Sequence, residues 1–241
     1  MAGWLLRAWP GIAPGGWLHA PVDYDDAVYF TAAALFAQGE LPYRDFVLVH
    51  PPGMLLFLAP VSLLAGVVGA GGAFSAARWL VTLLGAANIA LSARVAHRAG
   101  GPVAAIVAAA SYAVLPEIAL HERSTYLEPL LNFSCLLLAS TWLSPPVEPR
   151  ARRWPIPGWG GGGSLAAGLC LGLGLSVKAW ALLWAPACLL WPNGAHSADV
   201  RSSRRGAGWL ASLRWLAAGT ALALLAINLP FLIAAPRSFL S

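Results

Sequence analysis

The segment 209-WLASLRWLAAGTALALLAINLPFL-232 contains one charged residue, Arg214, and is long enough to cross a lipid bilayer as a single helix. The whole chain is 59% hydrophobic and only 10% charged, whereas soluble domains carry about 25% charged residues. We therefore predict an all-α fold, a polytopic transmembrane helical bundle. The other predicted apolar helices lie at 75–96, 102–119, 128–143, 164–177 and 179–192.

The remaining composition narrows the possible partners. The formal net charge is +5, but the basic residues form short clusters between apolar segments, where membrane topology accounts for them. No nucleic-acid partner is therefore expected. Cys135, Cys170 and Cys188 lie in apolar segments without CxxC spacing, so we interpret them as small hydrophobic residues rather than as a disulfide or metal framework.

The arginines predict the orientation of the chain. They form three clusters, and the positive-inside rule places all three in the cytoplasm. Eight of the ten acidic residues then face outward, which predicts an outward-facing site in a multi-pass protein of the plasma or inner membrane. The clusters are Arg94 with Arg98; Arg150, Arg152 and Arg153; and Arg201, Arg204 and Arg205.

The same reasoning divides the chain into three regions. Residues 1–22 are interrupted by prolines and glycines and are predicted to form an incomplete first helix. Residues 23–74 are predicted to form the first exoplasmic loop, with a short amphipathic helix that ends near Gly39 and an interfacial or re-entrant stretch at 51–70. Residues 75–241 are predicted to form the transmembrane helical region.

The predicted outer face carries a carboxylate cluster and several cations. The carboxylates are Asp23, Asp25 and Asp26, and the candidate cations are Arg44, His50, Arg123 and Lys178. A carboxylate can deprotonate or orient an acceptor hydroxyl, while cations bind and neutralise a phosphate leaving group. The set is therefore typical of a transfer from a phosphate-linked donor.

Simpler interpretations of the same residues remain open. The aspartates fit the N-terminus of a helix through its dipole, and Glu128 before Pro129 fits a first helical turn. His50 before two prolines could cap a turn. Lys178 is the only lysine of the chain and lies between two uncharged segments. This position favours a function, with snorkelling to the interface as the alternative.

Three sequence elements resemble the GT-C membrane glycosyltransferases, in particular the branch with the protein O-mannosyltransferases and the lipid A aminoarabinose transferase. Asp25-Asp26-(x2)-Tyr29, followed by "G-E-L-P-Y-R-D" and "H-P-P-G", resembles their first exoplasmic loop. "S-T-Y-L-E-P" resembles the acidic element of their second outer loop, and "G-L-S-V-K-A-W" resembles a glycine-rich segment that ends in a lysine near the lipid phosphate.

The resemblance implies an inverting glycosyltransferase of the cell envelope that uses a polyprenyl-phosphate sugar donor. Asp25 would be the catalytic or acceptor-orienting carboxylate, supported by Asp26, and Glu128 would be the second acidic residue. Lys178 with Arg123 would hold the phosphate. Tyr29, Arg44 and His50 complete the candidate substrate-binding residues.

Several points stay open at the level of sequence. Asp23-Tyr24-Asp25 spells a DxD pattern, so a divalent metal is possible but unassigned, and no other cofactor is expected. The acceptor could be a glycan, a lipid or a protein. The family has a first helix before the aspartate loop and further helices after the last one here, so we expect an N-terminal portion of such an enzyme. The alternatives are a non-catalytic subunit that binds a polyprenyl lipid, and a transporter or flippase.

Overall fold

A computed structural model of the chain describes residues 23–143, 162–190 and 204–240. Helices joined by short loops make up these ranges, and they contain no strand. The predicted first-helix segment 1–22, the arginines at 150–153 and Arg201 lie outside these ranges. The helices are α1 (Tyr24–Ala37), α2 (Gly53–Ser62), α3 (Ala65–Val114), α4 (Pro116–His121), α5 (Glu128–Trp142), α6 (Gly162–Leu175), a 3-10 helix (Ala179–Trp184), α7 (Ala185–Leu190), α8 (Arg204–Ala234) and α9 (Pro236–Leu240).

Helix α1 is the helix predicted in the first loop. Asp23 caps its N-terminus by accepting a hydrogen bond from the backbone N–H of Asp26 at 3.1 Å. Gly39 follows the last turn with φ +97°, a conformation that favours glycine and ends the helix. The helix packs against α2 and buries Tyr29 and Phe30, so one face is part of the core rather than lying free on a surface.

Helix α3 is formally 50 residues long, which would reach about 75 Å if it were straight. Non-helical backbone at Gly69 and Gly101 divides it, and the break predicted at Gly100-Gly101 is confirmed. The prediction of one helix over 102–119 was wrong, because Leu115 is extended before Pro116 and α4 starts there. Helix α3 begins at Ala65, directly after the turn that follows α2, so residue 74 lies within it, and the division into three regions stays a prediction.

The pair of short apolar segments is broken as predicted. Helix α6 ends at Leu175, a turn follows, and Lys178 precedes the 3-10 helix. Helices α6 and α8 pack closely because Gly172 lies against α8, where an added Cβ would come within 2.6 Å of the Thr220 carbonyl oxygen. Gly168 is similarly confined by the Leu216 backbone. Both glycines therefore allow the two helix backbones to approach each other closely.

Within the part of the chain that the structure describes, two helices are long and apolar enough to cross a membrane, Ala65–Val114 and Trp209–Ala234. Only 28% and 22% of their most apolar 18-residue windows are buried inside the protein. The other predicted spans are shorter where the structure describes them; α5, for example, has 15 residues. Because the elements of the described residues are all helices, the all-α class is confirmed. The polytopic transmembrane bundle stays a prediction.

Candidate functional site

The N-terminus of α1 is joined to the segment 122–127 by a set of hydrogen bonds. Tyr126 donates its phenolic proton to Asp23, and the backbone N–H of Thr125 donates to Asp26 Oδ1 at 2.8 Å. The hydrogen bond from Tyr126, with help from the backbone N–H of Asp26, holds the pKa of Asp23 below its usual value. Burial and the nearby Asp23 charge raise the pKa of Tyr126. Two segments far apart in sequence are therefore joined by a largely buried polar network.

Lys178 and Glu128 form a partly exposed ion pair. The Lys178 ammonium lies 2.7 Å from Glu128 Oε1 and 5.1 Å from the centre of the Trp180 ring. Their side chains are 23% and 34% exposed, respectively, so solvent reaches both. The break after α6 and the start of α5 thus place an accessible charge pair beside the aspartate segment.

His50 and Tyr29 complete the cluster. The His50 Nδ1 atom lies 3.4 Å from the Tyr29 hydroxyl, and the two rings meet edge to face. Burial and the positive charge of Lys178 lower the pKa of His50, while the negative charges of Glu128 and Asp25 oppose this shift. Burial, and then the charges of Asp25 and Glu128, raise the pKa of Tyr29 to about 12. The charges of Asp25 and Glu128 therefore act on both rings, and the charge of Lys178 acts on His50.

The backbone around residues 43–53 positions His50. Tyr43 has φ +68°, an uncommon value for a non-glycine residue, and its hydroxyl donates to the His50 carbonyl oxygen at 2.8 Å. Gly53 donates its N–H to the Ser176 carbonyl oxygen at 2.7 Å, and an added Cβ would come within 2.5 Å of that oxygen. Only a glycine lets the loop approach the turn before Lys178 this closely.

Of the residues predicted from sequence, Tyr29 contacts His50 and Glu128 contacts Lys178, and the charge of Asp25 acts on both Tyr29 and His50. We call these five residues the outer cluster, after the face on which the sequence predicts them. Asp25 is exposed. Arg44 is separate: its exposed guanidinium pairs with Asp45, and this hydrogen bond lowers the pKa of Asp45 to about 2. Arg123 is half-buried, and burial together with the Arg78 charge lowers its pKa.

Asp26 differs from its neighbour Asp25. Its side chain is fully buried and forms an ion pair with Arg78, which is also fully buried. The carboxylate therefore faces the protein interior, whereas a group that reacts with a substrate must reach it. A direct catalytic part for Asp26, as the sequence suggested, does not fit this placement.

Several residues of this region were not predicted from sequence. Arg78 is one, although a lone charge inside an apolar helix is a recognised signal of a functional or tightly paired group. Thr125 and Tyr126 lie in the "S-T-Y-L-E-P" element, but their contacts to Asp26 and Asp23 were not predicted, because these join residues about 100 positions apart. Asn88 is another such residue, and it donates to Glu122 at 2.7 Å. Asn228 does the same, donating to Ser176 Oγ at 2.9 Å.

An apolar cavity of about 430 Å³ lies next to the outer cluster. Gly53 and Leu130 line it, three residues after His50 and two after Glu128, respectively. Phe57, Phe133 and Leu173 contribute further apolar surface. Gly53 also donates its N–H to Ser176 in the turn before Lys178, so one wall of the cavity reaches that turn.

No three or more His, Cys, Asp or Glu side chains converge to form a metal site within 23–143, 162–190 and 204–240. The three cysteines are free thiols. Comparison with protein-family models, with curated proteins and with solved structures finds no match to this chain.

Proposed function

We propose that this chain is a membrane glycosyltransferase that moves a sugar from a polyprenyl-phosphate donor to an acceptor at the exoplasmic face. The observation that supports this most is the outer cluster itself, in which the charges of an exposed carboxylate, Asp25, and of the accessible Glu128 act on the same two rings, Tyr29 and His50. The adjacent apolar cavity suits the isoprenoid part of such a donor. The GT-C resemblance of the same residues agrees with this assignment.

The reaction follows from the chemistry of these groups. Asp25 accepts the proton of an acceptor hydroxyl as the oxygen attacks the anomeric carbon. The bond from that carbon to the phosphate oxygen breaks, and the polyprenyl phosphate leaves with the electron pair. Attack opposite the leaving group inverts the anomeric centre. Phosphate is a good leaving group, so no strong general acid is required.

Lys178 is the residue that binds the phosphate. Its ammonium makes a charge-assisted hydrogen bond to Glu128 in the free protein, and a phosphate with two or three acceptor oxygens competes for the same donor. Glu128, once released, is free to accept hydrogen bonds from sugar hydroxyls. His50 and Tyr29 offer further polar contacts beside them.

The membrane setting is part of the proposal. The two long apolar helices have mostly uncovered faces, as lipid-facing helices do. The arginine clusters then place Arg94 and Arg98 in the cytoplasm and the outer cluster on the opposite side. We therefore propose a multi-pass protein of the plasma or inner membrane.

A second function remains a candidate because it uses the same contacts. A non-catalytic subunit that binds a polyprenyl lipid would also place Lys178 beside an apolar cavity. A transporter or flippase would instead need its charged groups to move a ligand across the bilayer. Turnover separates the enzyme from both.

The test is transfer of radiolabelled sugar from polyprenyl-phosphate donors into cell-envelope fractions at matched expression. We expect label transfer to depend on the chain and to fall at least ~100-fold in Asp25→Asn, a size typical of losing a general base. Glu117→Gln is the matched control, because Glu117 is an exposed carboxylate on α4 outside the cluster. Equal transfer by Asp25→Asn and Glu117→Gln would contradict the catalytic assignment.

A further inference from the structure

The buried ion pair between Asp26 and Arg78 joins three separate parts of the molecule. Asp26 lies in the first turn of α1, and Arg78 lies on α3, 52 residues later. Asp26 also accepts hydrogen bonds from the backbone N–H of Thr125 at 2.8 Å and from the Thr125 hydroxyl at 2.9 Å. One carboxylate therefore connects α1, α3 and the segment 122–127.

The pair is costly to bury, which raises the question of what it does. Both side chains have no exposed surface. Taking two charges out of water costs several kcal/mol per ion, and an apolar pair of similar volume is often equally stable or more stable. Stability alone therefore does not explain why two charged residues, Asp26 and Arg78, occupy these buried positions.

Its surroundings hold the pair in one geometry. The Arg78 guanidinium lies 4.4 Å from the centre of the Phe74 ring, and Phe74 packs against Phe30 of α1 with 5.1 Å between ring centres. Arg78 thus has an aromatic contact on one side and Asp26 on the other. Rotation of α1 about its axis would break both the ion pair and the ring contact.

Asp25 is the neighbour of Asp26 on α1, so the orientation of the Asp26 side chain determines where Asp25 points. Successive residues on a helix are rotated by about 100°, and here Asp26 faces inward while Asp25 is exposed. We propose that Asp26 and Arg78 are positioning residues: their ion pair, anchored by Thr125, fixes the rotation of α1 and the place of 122–127, and thereby holds Asp25 toward Tyr29 and His50 in the outer cluster. The catalytic part of this inference rests on the proposed function.

The test uses four variants of the full chain purified in detergent. Asp26→Asn and Arg78→Met each leave one buried charge unpaired and are expected to fold poorly. The double variant Asp26→Asn/Arg78→Met removes both charges, keeps an acceptor for Thr125 and keeps the apolar stem against Phe74, so it is expected to fold. Val81→Ala is the control, because Val81 is a fully buried residue one turn further along α3 that carries no charge.

The first measurement, amide hydrogen exchange, does not depend on activity. In the double variant we expect exchange in the peptides 23–30 and 122–127 to accelerate about tenfold or more, with the α6–α8 region unchanged, because a local opening affects only its own cooperative unit. Val81→Ala should not show this selective change. Exchange of both peptides at the wild-type rate in the folded double variant would overturn the inference.

The second measurement is sugar transfer with donor concentration varied. A misplaced catalytic group costs on the order of 100-fold in rate, so we expect kcat of the double variant to fall 10- to 100-fold with KM for the donor nearly unchanged. Wild-type kcat in the double variant would overturn the positioning role. If the wild-type chain itself transfers no sugar, the proposed function fails, and the exchange measurement still decides whether the pair fixes α1.

Discussion

Lys178 is the single residue whose surroundings are most informative about function. It is the only lysine of the chain, it precedes the 3-10 helix, and it contacts both a carboxylate and an aromatic ring. A cation whose function was only structural would gain little from this position, because partly exposed ion pairs contribute about 0–1 kcal/mol. Its accessibility is instead what a phosphate ligand requires.

We expect Lys178→Met to weaken binding of polyprenyl phosphate about 10- to 100-fold, because a hydrogen bond between charged groups is worth about 1.5–3 kcal/mol. Titration of the purified protein with the lipid, followed by intrinsic tryptophan fluorescence, measures this directly, since Trp180 adjoins Lys178. Arg237→Met is the matched control, an exposed cation on α9. Equal affinities of the two variants would exclude Lys178 from the phosphate site.

His50 gives a prediction of pH dependence. Burial and the nearby Lys178 lower its pKa in the folded protein below the 6.5 of an unperturbed histidine, while Glu128 and Asp25 oppose this. The unfolded chain therefore binds the proton more readily as pH falls below about 6.5, so this contribution to stability is present above that pH and is lost as pH falls toward the folded pKa.

We accordingly expect thermal unfolding of the wild type to move to lower temperature between pH 7.5 and pH 5 by more than that of His50→Gln, which cannot titrate there. The difference between the two melting temperatures at each pH isolates His50 from the other groups. A difference that is constant over this range, or that changes in favour of the wild type at low pH, would show that His50 is not kept neutral by its surroundings.

At the scale of helices, the sequence was most informative where a local rule operates. Gly100-Gly101 before Pro102 predicted a helix break because glycine alone readily adopts the positive φ found at Gly101. Asp23 and Gly39 likewise marked the two ends of α1. The break at Leu115 was missed, although Pro116 restricts the residue before it, because the flanking segments are uniformly apolar.

The candidate site was predictable in part for the same reason. Asp25, Glu128 and Lys178 stood out as charges at the edges of apolar segments, and all three belong to the outer cluster. The burial of Asp26 could not be deduced, because it depends on contacts to Arg78 and Thr125 that are 52 and 99 residues away. Helical periodicity along one segment does not specify which distant side chain a charge will meet.

The packing of α6 on α8 yields a prediction about these two helices. A methyl group on Gly172 would come within 2.6 Å of the Thr220 carbonyl oxygen, which is backbone and cannot rotate away. We expect Gly172→Ala to destabilise the protein by about 1–3 kcal/mol. Thermal unfolding of the detergent-solubilised protein measures the change.

Gly66→Ala is the matched control for that substitution. Gly66 lies in α3, and an added Cβ there meets nothing within 4 Å. Alanine is the better helix former by about 0.5–1 kcal/mol, so this variant should unfold at the same or a higher temperature. If Gly172→Ala were as stable as Gly66→Ala, the close contact between α6 and α8 would not exist in the folded protein.

At the scale of the whole molecule, the sidedness of the chain is a prediction from its arginines. The arginine clusters predict which side of the membrane is cytoplasmic, and this prediction puts the outer cluster on the side opposite Arg94 and Arg98. A donor that carries its sugar on a lipid must meet its acceptor on one face only. The sidedness of the chain therefore determines which acceptors it can reach.

Thiol labelling in intact cells tests this sidedness. In a chain whose three cysteines are replaced by alanine, we introduce Glu40→Cys or His97→Cys, both at exposed positions and on opposite predicted faces. A membrane-impermeant maleimide should label position 40 in intact cells and position 97 only after permeabilisation, because the reagent cannot cross the bilayer. The reverse pattern would place the outer cluster in the cytoplasm, and labelling of both positions in intact cells would mean that the segment between them does not cross the membrane. The reverse pattern would remove the exoplasmic acceptor from the proposed reaction, since Glu40 and Asp25 both belong to the predicted first exoplasmic loop, whereas labelling of both positions would overturn the predicted cytoplasmic location of Arg94 and Arg98.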